Sequence, residues 1–312
     1  MTLVVARQVN NEIYIVGDTK FTANESSSWP EPKKYIGGLK VILLNPGLCV
    51  SFAGNIEIAR DAIQGIYDKN VNLFNKNCAI EYFLEHHKYS VQNCSTTDFL
   101  IASIVECDEK PGAFLKEIFR IADSKVYCEN EAAYIGDEEA FNYFQEAFHC
   151  GHQNNSVPTF EIYKLGSRKR PGFDQSLSTA IFAMQGVIDN LAILSVDGIR
   201  TVVISEEDQF KYAEYIQLRG APTPVNNEPA APVNFGDAAE GSDHKHVGIL
   251  SKEGHGIYPF YSITGRFGVI YHPEECFEPT IIPNCTLEEF QMMVDRRINL
   301  AHQRAINYQI RF

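Results

Sequence analysis

The 312-residue sequence has no long apolar run: no stretch approaches the roughly 18 consecutive apolar residues of a membrane span. Its first seven residues are too short for a signal-peptide core and lack a basic leader, so a cytoplasmic protein is expected. The eight cysteines form no C-x-x-C pair. Without a secretory signal, they are predicted to be buried thiols rather than disulfides.

Basic residues are also scarce. There are 27 Lys and Arg against 40 Asp and Glu, which gives a net charge of −13. Nucleic acids and anionic membranes select clustered Lys and Arg, so neither is expected as a partner. The His-containing segments at 149–152 and 244–255 lack a fixed metal-binding spacing, so no metal or organic cofactor is predicted.

The first half of the chain is rich in strand patterns. Two apolar pairs are predicted as hairpins: 3–9 with 12–17 around an Asn-Asn turn, and 39–44 with 48–53 around Asn-Pro-Gly. Their nearly continuous apolar character indicates strands covered on both faces. Further strands are predicted at 98–106, 112–120, 198–205, 246–250, 257–263 and 267–271. Helical periodicity occurs near 56–66, 80–84, 137–148 and 176–189, and a capping pattern begins a helix at 286.

The domain organisation follows from a change in composition. Residues 220–243 are rich in Pro, Ala and Asn and are predicted to be a linker or long loop. They separate a main domain at 2–219 from a C-terminal extension at 244–312, a hairpin plus a helix expected to pack on the same domain.

Thr2 is the first candidate for chemistry. Initiator methionine is generally removed before a small residue, so Thr2 would supply both a hydroxyl and a free α-amine. An α-amine with a pKa of roughly 7.7–8.0 can act as the base that the weakly nucleophilic hydroxyl needs. Asp18 ends the second strand, across the hairpin from Thr2, and could orient a neighbouring ammonium group. Each residue alone also fits an ordinary structural role.

Two further signals concern charge stabilisation. Lys34, in the Lys-Lys pair before the third strand, could favour an alkoxide on Thr2. Gly54 lies where a strand passes into a helix, and its N–H could stabilise an oxyanion. A solvated basic pair and a tight turn are the structural alternatives.

The spacing of these residues resembles that of the proteasome β subunits and the related bacterial ATP-dependent peptidase subunit, which are N-terminal-nucleophile (Ntn) hydrolases. Asp18 lies 16 residues and Lys34 lies 32 residues after Thr2, without a gap. Lys20 and Thr22 match positions where the family has a basic residue and a substrate-binding threonine. The match covers about 1–70 clearly and continues to about 205.

The family's second aspartate motif, Asp-Gly-x-Ser-Gly-Gly, is interrupted here. Residues 189–198 read Asp-Asn-Leu-Ala-Ile-Leu-Ser-Val-Asp-Gly, so Asp189, Ser195 and Asp197 are all candidates for its supporting role. Asp137, at the start of a helix, stands where the family has serine.

The resemblance implies an α+β fold: a four-layer α/β/β/α sandwich of two antiparallel sheets, here with a C-terminal extension. It implies a threonine-type peptidase or amidohydrolase with Thr2, Asp18 and Lys34 catalytic, Gly54 at the oxyanion, and Lys20 and Thr22 binding a peptide or amide substrate. It further implies a homo-oligomer, for example a ring, and an ATP-dependent unfoldase as partner. The alternative is a catalytically degenerate proteasome-like scaffold or regulatory binding subunit, which the interrupted motif favours.

Overall fold

The computed structural model describes residues 2–20, 37–67, 75–107, 109–154, 170–190, 192–213, 216–218, 246–249, 257–262, 266–272 and 279–297. These residues form a mixed α+β protein in which the strands of each sheet pair antiparallel. The predicted linker at 220–243 and residues Thr22 and Lys34 lie outside the described residues.

The strands are β1 (Leu3–Val9), β2 (Glu12–Gly17), β3 (Val41–Asn45), β4 (Leu48–Gly54), β5 (Thr97–Glu106), β6 (Phe114–Ala122), β7 (Lys125–Glu129), β8 (Ala132–Gly136), β9 (Thr201–Glu206), β10 (Gln209–Tyr212), β11 (Ile216–Leu218), β12 (His246–Ile249), β13 (Tyr258–Ser262), β14 (Phe267–Tyr271) and β15 (Thr280–Ile282). The helices are α1 (Ile56–Tyr67), α2 (Lys76–Gln92), α3 (Glu138–Asn154), α4 (Pro171–Asp189) and α5 (287–297).

Three five-stranded sheets result. The first has the order β10-β9-β2-β1-β8, the second β3-β4-β5-β6-β7, and the third β11-β12-β13-β14-β15. The first two share one hydrophobic core with helices α1 to α4, because their strands carry apolar residues on both faces. Helix α4 packs on the first sheet, where the Tyr14 hydroxyl lies 2.8 Å from Ser176 Oγ. Helix α2 packs on the second, with the rings of Phe83 and Phe99 4.8 Å apart.

Both predicted hairpins are present. The first turns at Asn10 and Asn11, whose φ values of 53° and 60° explain why this turn takes asparagine. Strands β7, β8, β10, β11 and β15 have three to five residues each, and segments this short carry few repeats of a strand pattern, so the sequence did not predict them. Helix α4 also begins five residues before the predicted start at 176, with Pro171 in its first turn.

The C-terminal region forms most of the third sheet and then α5. Alternation along β13 and β14 gives this sheet two apolar faces. On one face, Tyr258, Phe260, Val269 and Tyr271 join the main core. On the other face, Tyr261 and Ile270 pack with α5. The predicted capping box begins α5: Glu289 N–H donates to Thr286 Oγ1 at 3.2 Å, and Thr286 N–H donates to the Glu289 carboxylate at 2.7 Å.

Two general expectations can be compared with the described residues. Within them, no helix is both long enough and apolar enough to cross a membrane. Their seven cysteines are free, but the prediction that they are buried is wrong for Cys78, Cys94, Cys128 and Cys150, which are exposed. These four lie on α2, in the turn after it, on the edge strand β7 and on α3, so each has a solvent-facing position.

Candidate active site

The β1–β2 hairpin brings Asp18 to the start of the chain. Val4 pairs with Gly17, so the next register position sets Leu3 against Asp18. Asp18 N–H donates to the Leu3 carbonyl at 3.4 Å, and Leu3 N–H donates to Asp18 Oδ1 at 3.1 Å. A two-residue turn fixes this register, and Asp18 therefore lies beside Thr2 because of local chain geometry.

Thr2, Asp18 and Lys40 form one buried polar cluster. The Thr2 hydroxyl donates to Asp18 Oδ1, and Lys40 Nζ donates to Thr2 Oγ1. Lys40 Nζ also lies 3.0 and 2.9 Å from the two carboxylate oxygens of Asp18. The exposed fractions of the three residues are 3, 0 and 2%. Unpaired charges are costly in such an environment, so each group depends on the others.

Burial makes the lysine easier to deprotonate. Removal from water lowers the pKa of Lys40, and the charge of Lys20 acts in the same direction, although the Asp18 carboxylate and its hydrogen bonds oppose them. Two backbone donors hold that carboxylate from the other side, Lys20 N–H at 3.1 Å and Asp197 N–H at 3.4 Å from Oδ2. The cluster is therefore arranged to exchange a proton at the Thr2 hydroxyl.

The lysine of this cluster differs from the one predicted. Among the described residues, the lysine that contacts Thr2 is Lys40, six residues after the predicted Lys34, which lies outside the described residues. The gapless spacing from Thr2 to Lys34 therefore stays a prediction. One signal did point to Lys40: it is a charged residue within the apolar run predicted as the third strand, and a buried charge usually has a specific partner.

A second charged pair borders this cluster. Lys20 Nζ lies 3.5 Å from Asp197 Oδ2, and Lys20 N–H donates to the Asp197 carbonyl at 3.1 Å. Both side chains are partly exposed, at 24 and 37%, so they can meet a solute. Lys20 therefore lies at the exposed edge of the Thr2 cluster, and its role in substrate binding remains a prediction. Its predicted companion, Thr22, lies outside the described residues.

The residue after β8 holds the backbone of Thr2. Gly136 pairs with Leu3, and Asp137 N–H donates to the Thr2 carbonyl at 2.7 Å. Burial by itself would raise the pKa of Asp137. Hydrogen bonds from the Ala140 N–H and the Ser195 side chain, together with the charge of the chain terminus, outweigh burial and lower that pKa. The unpredicted strand β8 brings Asp137 here, so the sequence alone indicates this residue only as a departure from serine.

The three candidates for the interrupted motif have different surroundings. Ser195 is buried and hydrogen-bonds Asp137, and Asp197 joins Asp18 and Lys20 as described above. Asp189 ends α4, where its exposed carboxylate accepts a hydrogen bond from Gln185 Nε2 at 2.8 Å. The contacts of Ser195 and Asp197 thus connect them to the Thr2 cluster.

Gly54 ends β4 just before α1, as predicted. Its φ of +118° suits glycine, and a side chain there would overlap the Thr96 carbonyl oxygen. Asn55 then caps α1, with Oδ1 accepting from Glu57 N–H at 2.9 Å and Ile58 N–H at 3.1 Å. The role of Gly54 at an oxyanion remains a prediction.

Among the residues that the structure describes, no group of three or more His, Cys, Asp or Glu side chains could hold a metal ion. A scan against protein-family models finds no model that matches this chain. A comparison with curated proteins finds no significant sequence match.

Proposed function

We propose that this protein is an N-terminal-nucleophile hydrolase that cleaves an amide or peptide bond with Thr2 after removal of Met1. The observation that carries the proposal is the buried contact of the Thr2 hydroxyl with both Asp18 and Lys40. A hydroxyl held between a carboxylate and a lysine at the chain start has the donors and acceptors of an activated nucleophile.

In the proposed reaction, Thr2 Oγ attacks the substrate carbonyl carbon and transfers its proton to the Thr2 α-amine. Lys40 stabilises the developing negative charge on Oγ, and Asp18 keeps the lysine in place through two hydrogen bonds. Collapse of the tetrahedral intermediate breaks the C–N bond, and the proton passes to the leaving nitrogen. Water then hydrolyses the ester and restores the hydroxyl. Gly54 N–H is the proposed oxyanion donor.

Asp137 and Ser195 are the proposed substitutes for the interrupted motif. Asp137 already holds the Thr2 carbonyl through its backbone, and its side chain is paired with Ser195. A carboxylate near the α-amine favours the ammonium form that follows the first proton transfer. Lys20 and Asp197, at the exposed edge, are proposed to contact the substrate.

The four-layer sandwich is part of the same proposal. Helices α3 and α4 contact each other, and α4 contacts the first sheet. The first and second sheets contact through β8 with β4, β5 and β6, and α1 and α2 contact the second sheet. These contacts support helical layers outside two antiparallel sheets. Self-assembly, including into a ring, and an ATP-driven unfoldase are proposed from the family resemblance alone.

The test is an intact-mass measurement on untagged protein before and after treatment with a β-lactone. Lactone opening adds its whole mass to the nucleophile without a leaving group. We expect loss of one methionine and a single adduct on Thr2, located by fragmentation. Thr2→Ser should still react, whereas Thr2→Ala should not. All three residues are small, so removal of Met1 should be comparable in the three proteins.

Two results would contradict the hydrolase proposal: retention of Met1, or a processed wild-type chain that forms no adduct. Either would favour the scaffold or regulatory subunit instead. Equal labelling of Thr2→Ala would assign the reactive group to another residue.

A further inference from the structure

Three buried tyrosines connect the third sheet to the candidate site. We call Tyr212, Tyr258 and Tyr271 the tyrosine cluster. The ring centroids of Tyr212 and Tyr258 are 4.9 Å apart, and those of Tyr258 and Tyr271 are 6.0 Å apart. None is more than 2% exposed. Two of the three come from β13 and β14, so the C-terminal region forms most of this cluster.

The Tyr271 hydroxyl reaches the residue next to Asp18. It hydrogen-bonds the Thr19 side chain, whose Oγ1 also accepts from Ile199 N–H at 2.8 Å. The Thr19 carbonyl accepts from Gly38 N–H at 2.9 Å. Thr19 therefore joins three segments at one point: the end of β2, the approach to Lys40, and the loop before β9.

The other two hydroxyls bind backbone carbonyls in the same region. Tyr258 donates to the Arg200 carbonyl at 2.8 Å, one residue after Ile199. Tyr212 donates to the Val41 carbonyl at 2.9 Å, one residue after Lys40. Each hydroxyl of the cluster thus holds a segment within three residues of Asp18, Lys40 or Asp197.

Burial keeps the Tyr271 hydroxyl neutral. It raises the pKa of Tyr271, although the hydrogen bond to Thr19 has the opposite effect. A neutral phenol in an apolar core needs a hydrogen-bond partner, so the contacts are strongly favoured over an unpaired hydroxyl.

We propose that the third sheet is a fixed support of the candidate active site. Tyr271 is a positioning residue for the segments that carry Asp18 and Lys40, and Tyr258 is one for the segment that carries Asp197, a backbone donor to Asp18. The inference rests on the proposed function only in taking those groups as the partners of the nucleophile. It gives the C-terminal region a part in the reaction without contact with the substrate.

The experiment uses the full chain and three single variants, Tyr258→Phe, Tyr271→Phe and Tyr261→Phe. Each removes one hydroxyl and keeps the ring. Tyr261 is the matched control, because it lies on the same strand as Tyr258 but faces α5. Its hydroxyl donates to the Cys285 carbonyl at 2.8 Å. The measurements are the β-lactone labelling rate against pH and residue-resolved hydrogen exchange of the Lys20, Gly38 and Ile199 amides.

We expect Tyr258→Phe and Tyr271→Phe to label about three- to tenfold more slowly than wild type, in line with the loss of one hydrogen bond. The pH above which their labelling rate falls should shift, and the Gly38 and Ile199 amides should exchange faster. Tyr261→Phe should match wild type in all of these. A general loss of stability would instead lower the melting temperature without moving the pH limb.

Wild-type labelling and wild-type exchange in both test variants would overturn the positioning role while leaving the hydrolase proposal intact. A wild-type protein that never labels would overturn the hydrolase proposal, and the exchange rates would still decide the support role. If Tyr271→Phe fails to fold, Tyr258→Phe with its Arg200 contact decides the outcome through the same measurements.

Discussion

At the scale of single residues, the site depends on the buried ion pair of Asp18 and Lys40, beside which the uncharged Thr2 hydroxyl lies. Asp18 and Lys40 lie at 0 and 2% exposure, and the Thr2 hydroxyl hydrogen-bonds both. Removing one member of a buried pair leaves the other charge without its partner, which costs about 3–5 kcal/mol. The Thr2 side chain carries no charge, so its substitution tests the reaction without leaving a buried charge unpaired. Substitution of Lys40 tests the reaction and the stability together.

The pH dependence of labelling should therefore report Lys40. We expect the rate to rise as the Thr2 amine loses its proton, because only the neutral amine can accept the proton of Oγ. It should fall again when Lys40 loses its proton, below its ordinary pKa of 10.5 because burial lowers that pKa. Lys40→Arg should lose the alkaline limb, since a guanidinium stays protonated in proteins.

The matched variant is Lys40→Met, which has a similar length and no charge. It should label at least about 100-fold more slowly at every pH, as expected for loss of one charge-stabilising donor. Circular dichroism and thermal unfolding would check that each variant is folded before rates are compared. An alkaline limb that persists in Lys40→Arg would assign it to another group.

At the scale of elements, strand β8 holds Thr2 in place. It pairs with β1 up to Leu3 and Gly136, and the next amide binds the Thr2 carbonyl. Gly136 has a φ of +113°, and a Cβ atom there would overlap the Thr2 carbonyl oxygen. Glycine is thus required both by the backbone conformation and by the close approach of Thr2.

Gly136→Ala should consequently destabilise the fold and displace Thr2. Backbone strain of about 1–3 kcal/mol and overlap of similar size should both contribute to the loss of unfolding free energy. Gly112→Ala is the control: its φ is +79°, but a Cβ there meets nothing within 4 Å. Urea unfolding and lactone labelling should show a larger loss in Gly136→Ala, and equal effects in the two variants would contradict this view of β8.

At the scale of the whole molecule, the third sheet covers the main core. Tyr258, Phe260, Val269 and Tyr271 all belong to that core and are at most 6% exposed. Burial of one large apolar side chain contributes about 1.5–3 kcal/mol. The four together therefore contribute an amount comparable to the whole net stability of a typical domain, about 5–15 kcal/mol. The C-terminal region is therefore needed for stability.

A chain that ends at residue 213 should accordingly be insoluble or melt far below the full chain. The physical reason is exposure of the core surface that these four side chains cover. Co-expression of residues 214–312 as a separate chain is the control, and it should restore soluble, co-purifying protein. A soluble truncated chain with the melting temperature of the full protein would show that the third sheet is dispensable.

The sequence alone determined the local geometry of this protein. The Asn10-Asn11 turn fixes the hairpin register, and that register alone places Asp18 beside Thr2. The same holds for the apolar strands, the α5 capping box and the Gly54 turn, because each depends on residues a few positions apart.

Only the tertiary structure decided which distant residues join them. Lys40 contacts Thr2 because the length of the loop between β2 and β3 sets where the chain returns to Thr2. Asp137 reaches Thr2 through β8, a strand too short to predict, and Tyr271 reaches Thr19 from 252 residues away. Such contacts depend on how sheets pack against one another, and short-range patterns in a sequence do not encode that packing.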